Sequence, residues 1–393
     1  MALANSKLTA AAVYLPAKTE WENLLQQVLF APAALWISES LLHVGVEKFL
    51  VVCPADAMES ARSCFPEETV FAASDDGELQ EKWNSFMKNA GGRVAVVTKP
   101  VLFFRQSAEK LAEEEKLPNG AGAVIRADAQ TLVNALNTPD GLAEALRGCG
   151  GLTAEETVAA GDDLVAHCEV TQARAKEMVN GYWLCHGVIM LDPQHTYIAP
   201  TVTLAAGASV LPGTILRGRT EIDKNCEIGP NTMLRDAKVG EGTVVNASQA
   251  NECTIGCHST VGPFAYIRPN TTVGDRVKVG DFVELKNSVI GDDTKISHLT
   301  YVGDSDVGEH INFGCGTVTV NYDGAAKFRT KIGDGAVIGW NTNLVAPVTV
   351  GQGAYIAAGS TITRDVPSDS LAIARSQQTV KHQWVKKRKK RDP

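Results

Sequence analysis

Counting by sixes from Ile255, the chain places an aliphatic residue at Ile255, Val261, Ile267, Val273, Val279 and Leu285. It does so again at Ile332, Ile338, Leu344, Val350, Ile356 and Ile362. A period of six is neither the 3.6-residue repeat of a helix nor the plain alternation of a strand. A fixed short period sustained this long is the mark of a solenoid. Each aliphatic residue then points inward, and the Gly, Ala or Asn after it turns a corner. Three hexads make one triangular coil of about 18 residues, and strand pairing stacks such coils about 4.8 Å apart. The stretch from about Tyr197 onward has room for roughly nine coils. The register fails between Asn321 and Lys331, where "NYDGAAKFRTK" fits no hexad. That segment is predicted to loop out of the prism, and loops on a rigid scaffold are where function concentrates.

The first part of the chain follows another grammar. "KFLVVCP" (Lys48 to Pro54) and "GRVAVVTKP" (Gly92 to Pro100) are short apolar runs closed by proline, as buried strands are. "ELQEKWNSFMKNAGG" has helical spacing and a glycine stop, and "AEKLAEEEK" and "VTQARAKEMVNGYW" also read as helices. Alternating helix and strand predicts a layered α/β domain over residues 1–180.

The remaining features narrow the class of protein. The 393-residue chain has a net charge of -8, which argues against nucleic acid as the main partner. No window offers the roughly 18 apolar residues of a membrane span, and the N-terminus is a poor signal peptide. Nine cysteines, an odd number, are then expected to be reduced thiols in the cytoplasm. Cys253, Cys257 and His258 lie close together, but no second ligand pair accompanies them, so no metal site is predicted. The cationic tail "VKKRKKRDP" from Val385 reads as a solvated terminus, or as a loose clamp for the phosphates of a ligand or an anionic surface. "GCGT" at Gly314 to Thr317 follows the hexad grammar and precedes no helix, so its glycines are read as corners.

The segments "GPFAYIRP" (Gly262 to Pro269), "VGDFVELKNS" (Val279 to Ser288), "SHLTYVGD" (Ser297 to Asp304) and "NYDGAAKFRTKIGD" (Asn321 to Asp334) are more specific than the hexad pattern. With "LVAPVTVG" and "ITRDVP" following in order, the chain resembles the bacterial bifunctional N-acetylglucosamine-1-phosphate uridyltransferase / glucosamine-1-phosphate N-acetyltransferase family, roughly over Gly187 to Lys381. The resemblance implies a left-handed parallel β-helix with acetyltransferase activity over residues 187–366, a basic tail over 367–393, and a cytoplasmic homotrimer with sites between neighbouring prisms. By resemblance, His298 is the catalytic base. Arg268, Lys286, Tyr301, Asn312 and Lys327 hold the amino-sugar phosphate. Cys315, Asn321, Tyr322, Trp340, Ala358 and Arg375 face acetyl-CoA, with the Cys315 N–H as oxyanion donor. The chemistry agrees: a neutral amine needs a base such as imidazole, and a phosphate needs fixed cations.

Two positions depart from the family pattern, which has a small Ser at Trp340 and a small Ala at Cys315. The N-terminal part departs further. "QQVLFAPAALWISESLLHVGVEKFLVVCP" reads as starting beyond the family's glycine-rich nucleotide loop, which has no counterpart here. Lys99-Pro100 stands where the family's metal carboxylate would be, and the uracil-reading segment is missing. Residues 1–180 are therefore expected to be a shortened, degenerate, Rossmann-like nucleotidyltransferase domain without Mg2+ or uridyltransferase activity. The expected reaction feeds UDP-N-acetylglucosamine, and hence peptidoglycan and lipopolysaccharide precursors. The competing readings are an acyltransferase on another amino-sugar phosphate and a non-catalytic trimeric scaffold.

Overall fold

The computed structural model describes residues 7–119, 122–159 and 168–389. The chain divides into two compact units, Met1–Asp236 and Ala237–Pro393.

The first unit holds a five-stranded sheet in the order Val70–Ala73, Lys48–Cys53, Leu8–Tyr14, Arg93–Val97, Val124–Asp128. The first four strands are parallel and the last is antiparallel. The expected strands at Lys48 and Arg93 are present. The expected helices lie at Leu79–Ala90, Arg105–Glu113 and Cys168–Cys185. Leu79–Ala90 forms because Trp83, Phe86, Met87 and Ala90 recur at helical spacing and are all buried, and left-handed Gly91 ends it. Those side chains share one core with Ala10, Ala12, Leu50, Val52, Val94 and Val96. Chain upstream of "QQVLF" is thus part of the fold: Leu8–Tyr14 is the central strand, and Leu15 to Ala17 lead into a helix at Lys18–Leu24. Its three consecutive alanines carry little strand propensity, which is why the sequence pattern passes over it.

The same unit contains the first coils of a parallel β-helix, beginning at Ile189–Met190, which pairs with Ser209–Val210. Two buried side chains tie these coils to the preceding α/β elements. Arg105 Nη2 donates to the Val202 carbonyl at 3.1 Å, and Asn180 Nδ2 donates to the carbonyls of Pro193 and Thr196 at 2.8 and 3.1 Å.

The second unit is itself built of parallel β-helix coils. All twelve hexad residues are no more than 4% exposed. Like stacks on like: Val261 pairs with Val279, Ile267 with Leu285, Val273 with Ile290. The corners need polar side chains that satisfy themselves inside. Thr243, Ser259 and Thr294 are fully or almost fully buried, and each donates to a carbonyl of the next coil, at 2.6, 2.9 and 3.1 Å. The expected loop is real and pinned at its base. Phe328 N donates to Asn321 O at 2.9 Å, and the strand Thr330–Ile332 resumes the stack. The strand Leu371–Ala372 pairs with Tyr355–Ile356, and a short helix, Trp384–Lys389, lies in the basic tail.

Leu285 sits fully buried between Ile267 and Val302. Leu285→Ala is expected to cost about 2–5 kcal/mol, read as a lower denaturant midpoint at an unchanged slope.

Candidate active site

One corner of the second unit repeats from coil to coil, and backbone bonds trace it. Leu299 N donates to Asp281 O (2.9 Å), Gly316 N to Leu299 O (3.1 Å), Asn341 N to Cys315 O (2.8 Å) and Gly359 N to Trp340 O (2.7 Å). A Cβ placed on Gly359 would lie 3.7 Å from Arg375 Cδ. Asp281, His298, Cys315, Trp340, Ala358 and Arg375 therefore form a column along this corner. The base predicted from sequence and four of the six predicted acetyl-CoA residues are neighbours in it.

His298 ends the strand Lys295–His298, and its partner in the adjacent strand is Asp281. Its Nδ1 lies 2.5 Å from Asp281 Oδ1. With Nδ1 donating to the carboxylate, Nε2 is left as an acceptor. His298 holds the Asp281 carboxyl below the usual carboxylate range, against an opposing effect of burial. Gly280 allows the two coils to approach: a Cβ there would stand 2.0 Å from the Ser297 carbonyl oxygen. Among the described residues the Cys315 N–H meets no acceptor, so this corner also offers a backbone donor. Trp340 is 55% exposed, so its ring lies open to a ligand.

A second group lies on a neighbouring set of strands. Tyr266, Glu284 and Tyr301 are register partners across three coils, and Lys286 pairs with Gly303. Arg268 Nη1 donates to Glu284 Oε1 at 2.8 Å. Lys286 Nζ is 3.8 Å from Asp304 Oδ2, and Asn321 Nδ2 donates to Asp304 and, at 3.4 Å, to the Tyr301 hydroxyl. Lys327 joins this group from the loop. Its ammonium is held below its ordinary range, first by the Lys286 side chain beside it. A lysine ammonium crowded by a second lysine marks a place where a dianion is welcome. Arg268, Lys286, Tyr301 and Lys327 thus come together with Asn321, which sequence reasoning had assigned to acetyl-CoA.

Asn312 and Tyr322 join neither group by a hydrogen bond among the described residues. Asn312 pairs with Lys295 and Val337 on the strand Asn312–Phe313. Tyr322 is exposed in the loop, and its hydroxyl donates to Gly324 O at 2.6 Å. No described hydrogen bond links His298 to the cationic group. Sequence reasoning missed Asp281 and Asp304. The signal for Asp281 was available, since it precedes His298 by 17 residues, which is one coil.

Residues 252–287 and 329–364 match the family described as bacterial transferase hexapeptide (six repeats). The chain is 48% identical over 234 residues to the "Bifunctional protein GlmU" of Halalkalibacterium halodurans, covering 60% of this chain and 51% of that protein. It is 50% identical over 216 residues to the protein of the same name from Desulfitobacterium hafniense, covering 55% of this chain and 48% of that one. The chain resembles these proteins as its motifs indicate, and it spans about half the length of the curated relatives it matches. Among solved structures, the UDP-N-acetylglucosamine acyltransferase from Campylobacter jejuni is 20% identical, covers 45% of this chain and 71% of its own, and superposes with a TM-score of 0.28.

Asp304 gives the cationic group a pH dependence. Burial pushes its carboxyl up, but hydrogen bonds from Asn287 and Asn321 and the charges of Lys286 and Lys327 outweigh this, and the carboxyl ends below the usual range. A depressed carboxylate stabilises the fold fully above its unfolded pKa of about 3.9, and that stability is lost as pH falls through the folded value. Melting temperatures between about pH 6 and pH 2.5 should fall more steeply for the wild type than for Asp304→Asn, whose curve lacks this step.

Proposed function

We propose that the protein transfers an acetyl group from acetyl-CoA to the amine of glucosamine 1-phosphate, giving N-acetylglucosamine 1-phosphate and CoA. The observation that carries this reading is the Asp281–His298 pair in a corner column with Cys315, Trp340, Ala358 and Arg375. The amine nitrogen attacks the thioester carbonyl, the C–N bond forms and the C–S bond breaks. His298 Nε2 takes the amine proton and returns it to the departing thiolate. The Cys315 N–H donates to the carbonyl oxygen as it gains charge. Arg268, Lys286 and Lys327 hold the sugar phosphate, with Tyr301 beside them. Asn321 belongs with that group, and Tyr322 and Asn312 keep their assigned roles toward acetyl-CoA and the sugar phosphate. Exposed Trp340 favours one variant reading, in which its indole selects a different amino-sugar phosphate or stacks on the donor.

Nucleotidyl transfer stands outside the proposed activity. Lys99 and Pro100 offer no carboxylate to the Mg2+ that the family resemblance implies. The cytoplasmic placement and the division into residues 1–180, 187–366 and 367–393 belong to the same proposal. None of the described helices is long and apolar enough to cross a membrane.

His298→Ala should lower acetyl transfer by about 10²–10⁴-fold while leaving sugar-phosphate affinity intact. Equal turnover by the variant would remove His298 from the mechanism. The family resemblance implies a homotrimer, and the site is proposed to close between its copies. Co-expressed His298→Ala and Lys286→Ala chains should then recover activity that neither variant has alone. Failure of mixed assemblies to recover any, with sedimentation as a monomer, would contradict the shared site.

A further inference from the structure

Gln27–Val28 and Ala31–Pro32 form a hairpin whose two-residue turn is Leu29–Phe30. Both turn residues have positive φ, 43° and 68°. Such turns normally take Asn-Gly, and a bulky side chain there is an outlier. Three hydrogen bonds hold this one in place. Leu29 N donates to Gln172 Oε1 (2.9 Å), Gln172 Nε2 to Gln27 O (3.0 Å), and buried Trp36 Nε1 to Val28 O (3.1 Å). A strained turn that its surroundings hold this firmly points to a use for what it presents. It presents the Phe30 ring, 39% exposed, with the Arg217 guanidinium 4.7 Å from its centroid.

Phe30 and Arg217 line a cavity of about 710 Å3 together with Glu169, Gln172, Lys176 and Tyr197. Lys176 Nζ lies 5.0 Å from the Tyr197 ring centroid and donates to Gln194 O at 2.6 Å. Arg217 meets no carboxylate within ion-pair distance among the described residues, and its register partner on the next coil is Arg235. Glu169 is the one carboxylate among the described lining residues.

We propose that this cavity binds a nucleoside monophosphate. The base packs on Phe30 and Tyr197, the ribose hydroxyls donate to Glu169, and the phosphate meets Arg217 and Lys176. The inference does not rest on the acetyl-transfer reading, since none of these residues belongs to that site. The test is calorimetric titration of the full chain at low salt with adenosine monophosphate, uridine monophosphate, ribose 5-phosphate and inorganic phosphate. At least one nucleotide is expected to bind more tightly than ribose 5-phosphate, and inorganic phosphate most weakly. Arg217→Glu should weaken nucleotide binding by about tenfold or more. Phe30→Gly is the more telling variant, because glycine suits this backbone and only the ring is lost. It should weaken binding while the melting temperature holds or rises. The proposal is overturned if no nucleotide binds the wild type, if inorganic phosphate binds as well as the nucleotides, or if both variants bind like the wild type.

Discussion

A single coil of this β-helix cannot bury its own aliphatic residues. It buries them only when the next coil lies above it in register, so that Leu285 covers Ile267 and Val302 covers Leu285. Hydrogen bonding makes the same demand, because each coil's amides find their carbonyls on the neighbouring coil. A slip of one residue would turn every inward side chain outward. Register is therefore strongly fixed, and whatever the corners carry is placed as firmly as the core.

The chemistry inherits that precision. The imidazole of His298 is aimed by a carboxylate one coil away, and the distance between them is set by strand pairing and by the bare Cα of Gly280. The cationic group is built the same way, from residues one coil apart. Lys286 and Lys327 would push each other away on a flexible loop. Here Asp304, itself 5% exposed, is held between Asn287, Asn321 and Lys286 and offsets part of that repulsion.

The parts of the fold that could be read from sequence were those with a period. The hexads named twelve core residues, and Leu79–Ala90 declared itself by its helical spacing and glycine stop. Leu8–Tyr14 did not, because its place at the centre of the sheet is decided by neighbours far away in sequence rather than by its own alanines. The site divides along the same line. His298, Arg268 and Lys286, the residues proposed for catalysis and phosphate binding, could be singled out because they sit in distinctive local motifs. Asp281 and Asp304 were not, because their meaning depends on which residues lie one coil above or below. Asn321 was assigned to the acyl donor, whereas its side chain bonds to Asp304 and Tyr301 in the cationic group.

The loop at Tyr322 to Lys327 leaves the stack and is closed across its base by Phe328 N donating to Asn321 O and Asp323 N to Ala326 O, and Thr330 regains its place against Ser305. The extra residues therefore cost the ladder nothing above or below them. Asp323 closes the excursion on itself by accepting from the amides of Ala325 and Ala326, each at 2.8 Å. Covalent continuity at this point is separable from structural continuity. A chain whose ends were moved to this loop would still present every coil to its neighbours, so a fold of this kind can acquire new termini or an inserted module there without relearning its core.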